Sequence, residues 1–105
     1  MVKPNDIREL ARGIAQEFRP ERIVLFGSYA EGTATPDSDV DLLVIMPFRG
    51  TPLRKSVEIL NRLDVRVPID LLARRPADVR RRYTEGDPLI REALDRGKVL
   101  YERHG

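Results

Sequence analysis

The sequence contains no cysteine, and its one histidine, His104, is the penultimate residue. The absence of cysteine excludes disulfides, zinc sites with thiolate ligands and cysteine nucleophiles. A single histidine cannot build a site with several histidine ligands, and its position next to the end argues against a Ser-His-Asp triad. Any chemistry in this chain therefore depends on oxygen atoms from carboxylates, hydroxyls and the backbone.

Long apolar runs are also missing from the 105 residues. No stretch approaches the roughly 20 residues that span a bilayer, and the first residues lack the pattern of a secretory signal. We therefore expect a cytoplasmic protein with no membrane contact. The length predicts one domain over residues 1–105. The net charge of +2 is too small to indicate nucleic-acid binding.

The spacing of apolar residues and turn signals predicts the order α-β-β-α-β-α-α-β. This order indicates an α/β (α+β) fold with helices on a mixed four-stranded sheet. Asn5 is the expected N-cap of the first helix, and the second helix is expected to bury a stripe of Leu53, Val57, Leu60 and Leu63. The predicted helices cover about 5–18, a stretch from 52, 76–83 and the segment between Asp87 and Gly97, and the predicted strands cover 22–26, 39–46, 65–73 and 98–101.

Two aspartates, Asp39 and Asp41, stand at the entry of the strand over 39–46. Residues two apart on a strand project from the same face, so these carboxylates are close enough to repel each other. A divalent cation resolves this repulsion, and hard oxygen ligands suit Mg²⁺ or Mn²⁺. Taken alone, however, an Asp-x-Asp pair at a strand entry is more often structural.

Asp70 is a third candidate carboxylate, flanked by apolar residues in the next strand. If the two strands are neighbours, Asp70 joins Asp39 and Asp41 in a cluster that can hold two ions. Asp70 could instead cap a turn. Asp64 is a rival third carboxylate, but its place at the end of a helix favours a capping or solvent-exposed role.

Gly27-Ser28 follows directly after the strand over 22–26. A glycine there lets the backbone approach a ligand closely, and the next amides and the serine hydroxyl can bind phosphate oxygens. The segment is neither a Walker A loop nor a dinucleotide fingerprint, because the required glycine spacing and lysine are missing. In isolation, Gly-Ser after a strand is more often only a turn.

Read together, Gly27-Ser28-Tyr29-Ala30-Glu31-Gly32 and Ser38-Asp39-Val40-Asp41-Leu42 resemble the signature of the polymerase-β-like nucleotidyltransferases. The segment is most similar to the minimal nucleotidyltransferases, a short branch that includes antitoxins paired with HEPN-domain toxins. The match covers Phe26 to Val44, and the strand with Asp70 and the segment Lys98–Tyr101 also resemble the family.

The resemblance implies a nucleotidyltransferase that moves AMP from ATP to an acceptor hydroxyl, with a tyrosine of a HEPN-domain partner as the acceptor. It implies that Asp39, Asp41 and Asp70 hold two Mg²⁺ ions (or Mn²⁺), and that Gly27 and Ser28 bind the nucleotide phosphates. An antitoxin that only masks its toxin, and transfer to RNA or a small molecule, stay open as alternatives. A homo-oligomer is compatible with the sequence.

Five arginines between residues 74 and 82 face only one acid, Asp78. This basic segment is either a solvated helix face or a contact to phosphates, RNA or an acidic partner surface.

Overall fold

The computed structural model describes residues 1–104. In this range it contains five helices and four strands. They are α1 (Pro4–Phe18), β1 (Arg22–Phe26), α2 (Ser28–Glu31), β2 (Val40–Ile45), α3 (Pro52–Leu63), β3 (Ile69–Arg74), α4 (Pro76–Thr84), α5 (Pro88–Arg96) and β4 (Lys98–Glu102).

The four strands form one mixed sheet in the order β3-β2-β1-β4. β1 is antiparallel to both β2 and β4, and β2 is parallel to β3. The parallel pair is possible because α3 carries the chain back across the sheet between β2 and β3. The predicted fold class, helices on a mixed four-stranded sheet, is confirmed.

Helices cover both faces of the sheet, which explains why β2 is an almost continuous apolar run. α1 and α3 pack on the face that carries Val40, Leu42 and Val44. α4 and α5 pack on the opposite face, which carries Leu43 and Ile45. The strand alternation therefore assigns the odd-numbered residues of β2 to the side of α4 and α5.

Two details of the predicted helices are wrong. α1 begins at Pro4 with Lys3 rather than Asn5 as N-cap, because proline is favoured at the first helical position. In α3 half of the expected stripe is wrong, since Leu53 and Val57 are 74% and 46% exposed and the fully buried side chain is Ile59, whereas Leu60 and Leu63 pack against the core as expected.

Ser56 explains why the buried face of α3 is displaced. Its buried hydroxyl donates to the carbonyl of Pro52 at 2.8 Å and accepts from the backbone N–H of Ala73 at 3.0 Å. This second bond satisfies an outward N–H of β3 and joins helix to strand, a long-range pairing that no hydrophobic pattern reveals.

Two other helices begin at a residue whose side chain caps them. The Thr51 hydroxyl accepts from the N–H of Arg54, and the Asp87 carboxylate accepts from the N–H groups of Leu89 and Ile90. Asp64 ends α3 with a positive φ of 50°, is exposed and pairs with Arg66, so it lies outside the carboxylate cluster. No helix within residues 1–104 has the combined length and apolarity that crossing a membrane requires.

Candidate active site

One end of the sheet brings together the three segments that the sequence singled out. β1 runs antiparallel to β2, and β2 runs parallel to β3, so β1 ends where β2 and β3 begin. Phe26, the last residue of β1, pairs with Asp41, and Asp41 pairs in turn with Asp70. Gly27 and the start of α2 therefore lie next to the two aspartates.

The three aspartates belong to one face of the sheet. Asp41 alternates with buried Val40 and Leu42 and so shares the side of α4 and α5, and Asp39 precedes it by two residues. Asp70 is the register partner of Asp41 on an adjacent strand, which in a β-sheet lies about 4.8 Å away. The neighbouring strands, on which the prediction of a three-carboxylate cluster depended, are thus present.

The electrostatics of this cluster are unfavourable in the absence of a cation. Burial raises the pKa of the Asp41 carboxyl, and the negative charges of Asp70, Asp39 and Glu92 raise it further. Among residues 1–104, no lysine, arginine or histidine forms an ion pair with any of these four acids. An apolar or neutral pair at these positions would be more stable, so stability does not explain the cluster.

Glu92 is a member of this acidic group that the sequence analysis missed. It lies on α5 between Ile90 and Ala93, which are both buried against the sheet. Only the packing of α5 against β1 brings this side chain toward Asp41, and no pattern in the sequence indicates that packing.

The donor set suits a hard divalent cation. As the side chains stand, no group of three or more acidic or histidine residues within 1–104 is arranged to hold a metal ion. Asp39 and Asp70 are exposed and unpaired, however, so their side chains can rotate toward Asp41 at little cost. Unpaired carboxylate oxygens on one face are the ligands that Mg²⁺ and Mn²⁺ prefer.

Gly27 lies so close to the carboxylate of Asp41 that no side chain fits between them. Its φ of +73° lies in the region that side chains disfavour, and a Cβ built there would overlap Oδ2 of Asp41. Its carbonyl accepts from the N–H groups of Ala30 and Glu31, which turns the chain into α2. Ser28 opens this turn half-buried, and its hydroxyl makes no hydrogen bond with another residue in 1–104.

Tyr29 and Glu31 both hold in place the turn that contains Ser28. The Tyr29 hydroxyl accepts from the backbone N–H of Val2 at 3.0 Å, and the ring packs on the core of α1 and α3. Glu31 forms an ion pair with Arg96 at the end of α5. Tyr29 therefore has a structural role, and α2 is held at a fixed place beside the carboxylates.

Three of the five arginines in the basic segment at residues 74–82 form ion pairs within the chain. Arg75 stacks 4.3 Å over the ring of Phe48 and also pairs with Asp78. Arg81 pairs with Asp78 and Glu85, and Arg82 pairs with Asp87. Arg74 and Arg80 form no ion pair among residues 1–104, so the segment is only partly paired, and both interpretations of it stay predictions.

Comparison with known proteins gives a consistent family. Residues 7–100 match the model of the nucleotidyltransferase domain. A candidate protein adenylyltransferase of Methanocaldococcus jannaschii is 33% identical over 109 aligned positions, which cover 94% of this chain and 71% of the relative.

Solved structures share the fold at lower sequence identity. The crystal structure of a candidate nucleotidyltransferase from Sulfolobus solfataricus has a TM-score of 0.63 and 17% identity, over 92% of this chain and 78% of the other. A toxin–antitoxin structure with AMP-PNP has a TM-score of 0.60 and 22% identity, over 92% of this chain and 74% of the other. The toxin–antitoxin MntA–HpeT has a TM-score of 0.58 and 23% identity, over 98% and 76%. The chain belongs to the nucleotidyltransferase-domain family.

Proposed function

We propose that this protein transfers AMP from ATP to a hydroxyl group of a partner protein and releases pyrophosphate. The observation that carries the proposal is the register pairing of Asp41 with Asp70, with Gly27 packed against the Asp41 carboxylate. Adjacent unpaired acids beside a glycine turn serve no packing purpose, but they suit the transfer of a nucleotidyl group from a triphosphate that binds together with divalent cations.

Each site residue has a distinct role in this proposal. Asp39, Asp41 and Asp70 would hold two Mg²⁺ ions, or Mn²⁺ in their place. The ions would supply neutralisation of the triphosphate and activation of the acceptor hydroxyl. Gly27 and Ser28 would bind the β- and γ-phosphates, the glycine through its backbone and the serine through its hydroxyl, which donates a hydrogen bond to one of the phosphate oxygens. Asp70, which is exposed, accepts the proton of the acceptor hydroxyl.

The reaction is a single displacement at the α-phosphorus. The acceptor oxygen forms a bond to the α-phosphorus as the bond to the oxygen bridging the α- and β-phosphates breaks. Pyrophosphate leaves with that electron pair, while the acceptor proton passes to Asp70. Fixed placement of phosphates and acceptor lowers the entropic part of the barrier.

An open site favours a macromolecular acceptor. The chain has cavities of about 920 Å³ and 740 Å³, and neither is lined by Asp39, Asp41 or Asp70. The carboxylates instead stand at an exposed end of the sheet, which a side chain of another protein can reach. The name of the M. jannaschii relative, a protein adenylyltransferase, agrees with this class of acceptor. A tyrosine of a HEPN-domain toxin is the acceptor that we propose.

A labelling experiment tests the proposal. The protein is incubated with Mg²⁺, the product of the adjacent gene, and ATP labelled at either the α- or the γ-phosphate. We expect the α-label on the adjacent gene product, lost when its acceptor tyrosine is changed to phenylalanine, and the γ-label only in pyrophosphate. Tight binding without label would instead support masking of the toxin, and label on added RNA would support an RNA acceptor.

A further inference from the structure

A second surface lies away from the carboxylates, in the groove between α1 and β4. Its cavity measures about 740 Å³, and the side chains that define it are Arg8, Arg12, Arg19, Leu100, Tyr101 and Arg103. The groove reaches the C-terminal end of β4, where Glu102 pairs with Arg22 at the start of β1. The carboxylates lie at the opposite end of β1, so the two surfaces are separate. We call this surface the α1–β4 groove.

The α1–β4 groove is positively charged and lacks internal neutralisation. Four arginines line it, and among residues 1–104 no acidic side chain does. Among residues 1–104 only Arg12 has an acidic partner, Glu9, and both side chains of that pair are mostly exposed, at 65% and 72%. Arg8 donates to the neutral amide oxygen of Asn5, and Arg103 donates to the carbonyl of Arg19. An exposed pair such as Arg12–Glu9 is weak and easily exchanged.

This charge contrasts with the basic segment on α4, where Asp78, Glu85 and Asp87 pair with the arginines. Within residues 1–104, three of the four groove arginines have no acidic partner, against two of the five arginines in the basic segment, so the groove retains the stronger attraction for an outside anion. The anion must be more than a small ion, because the four arginines are spread along three turns of α1 and the end of β4.

The sheet edge beside the groove is open. β4 is an outer strand of the sheet, and within residues 1–104 no strand pairs with its free side. The other outer strand, β3, is covered by α3, whose Ser56 hydroxyl accepts from the N–H of Ala73. An open edge offers backbone N–H and C=O groups that the backbone of an extended peptide can pair with. A nucleic acid has no such backbone, so the edge favours a peptide as the ligand.

We propose that the α1–β4 groove docks an extended acidic segment of a partner protein. Carboxylates of the segment would meet Arg8, Arg12 and Arg103, and its backbone would run along the outer edge of β4. A two-fold symmetric dimer through this groove is disfavoured, because it would bring two equally basic grooves together. The proposal concerns binding alone and does not depend on the catalytic role of the aspartates.

Fluorescence anisotropy with labelled peptides tests the docking surface. The probe is a peptide of about ten residues that alternates glutamate and threonine, and its control alternates glutamine and threonine. We expect the acidic peptide to bind at least about tenfold more tightly than the control, with an affinity that falls as salt screens the arginines. An affinity that is equal for both peptides, or a lack of binding by either, would overturn the proposal.

Paired variants locate the binding. Arg8→Gln with Arg103→Gln is expected to weaken binding of the acidic peptide by about tenfold or more, since two of the groove charges are removed. Arg81→Gln with Arg82→Gln removes the same charge from α4 and should change binding less than about twofold. Equal losses in both double variants would mean unspecific attraction and would contradict the proposal. Thermal unfolding of each variant verifies that it is folded.

Amide chemical shifts and competing probes complete the test. On addition of the acidic peptide, the largest shifts should fall on β4 and on the arginine-bearing face of α1, and shifts centred on α4 or α5 would place the site elsewhere. If an oligothymidylate of equal charge binds more tightly than the acidic peptide, the partner is a nucleic acid and the proposal is wrong. If the protein forms a dimer that Arg103→Gln dissociates, the partner is a second copy of this chain and the proposal is also wrong. Asp41→Asn should bind the peptide as tightly as the unaltered chain does, because Asp41 lies outside the groove. The binding experiment therefore tests the groove even if the proposed transfer reaction is wrong.

Discussion

Asp41 on β2 and Asp70 on β3 are direct partners in a parallel pair of strands. Their carboxylates share one face of the sheet, and the negative charges of Asp39 and Glu92 act on Asp41 as well. Like charges placed opposite each other weaken a sheet. The arrangement therefore costs stability at the place where the proposed reaction occurs, a common property of functional sites.

Removing the charge of Asp41 should stabilise the fold in the absence of divalent cations. We expect Asp41→Asn to raise the free energy of unfolding by roughly 0.5 kcal/mol, since solvent screens part of the repulsion at this partly exposed site. For a domain of this size, the melting temperature would rise by about 2–4 °C. Thermal unfolding in a chelator measures the change, with the paired and exposed Asp64→Asn as control. A fall in melting temperature for Asp41→Asn would contradict the repulsion.

The stabilisation that Asp41→Asn provides should decrease as the pH is lowered. The pKa of Asp41 is raised in the folded state, so folding favours the protonated carboxyl, and this contribution is lost as the pH rises through the raised pKa. The gain from Asp41→Asn should thus be full at neutral pH. It should fade as the pH falls through the raised pKa and vanish below about pH 3, where the carboxyl is protonated in both states. A gain that grows on acidification would have the wrong sign.

Gly27→Ala should be more harmful than Gly32→Ala. Both glycines have positive φ, at 73° and 78°, so alanine costs about 1 kcal/mol of backbone strain at either position. Only at Gly27 does the added methyl group meet a side chain, Asp41, whereas nothing lies within 4 Å of a Cβ at Gly32. Urea unfolding of the two variants compares the losses. Equal losses of unfolding free energy would mean that the Asp41 side chain moves aside at little cost, which would contradict the prediction. If the clash with Asp41 causes the extra loss, Gly27→Ala should cost less when it is combined with Asp41→Ala.

Ser56→Ala should destabilise the protein by about 1–3 kcal/mol, because it leaves the buried N–H of Ala73 without its acceptor. Thr84→Ala is a matched control, since its hydroxyl also donates to the carbonyl four residues earlier but is exposed and makes no second bond. Chemical denaturation separates the two. If both substitutions cost less than about 0.5 kcal/mol, the bond between α3 and β3 contributes little.

The two faces of α3 offer a further test of the structure. Ile59→Ala should cost about 2–5 kcal/mol, because this side chain is fully buried. Leu53→Ala on the same helix should stay within about 0.5 kcal/mol of the unaltered protein, because Leu53 is largely exposed. Denaturation curves of the pair decide between this structure and the buried stripe that the sequence suggested.

Much of the fold could be predicted from local signals. Pro20 and the apolar run after Arg22 define β1, and Asp87 with Pro88 defines the start of α5, because turns, caps and proline act within a few residues. The face of α3 could not be predicted, since Leu53 and Val57 fit a helical stripe as well as Ser56 and Ile59 do. The choice depends on the bond from Ser56 to β3, which joins residues distant in sequence.

The candidate site likewise contains residues that the sequence could predict and residues whose proximity only the fold reveals. Gly27, Ser28, Asp39 and Asp41 stand within one short segment, so their motif is visible in the sequence. The pairing of Asp70 with Asp41 required the strand order, and the approach of Glu92 required the packing of α5 on the sheet. Long-range neighbours such as these depend on topology, which no local pattern specifies.

The most direct test of the central claim is the rate of label transfer from ATP labelled at the α-phosphate to the partner protein, measured with Mg²⁺ for the unaltered chain, Asp41→Asn and Asp64→Asn. Asp64→Asn removes an exposed acid outside the cluster and should keep the full rate. Asp41→Asn should lower the rate by at least about a hundredfold while the protein stays folded. Transfer by folded Asp41→Asn at the rate of the unaltered chain would contradict the assignment of these carboxylates to the reaction.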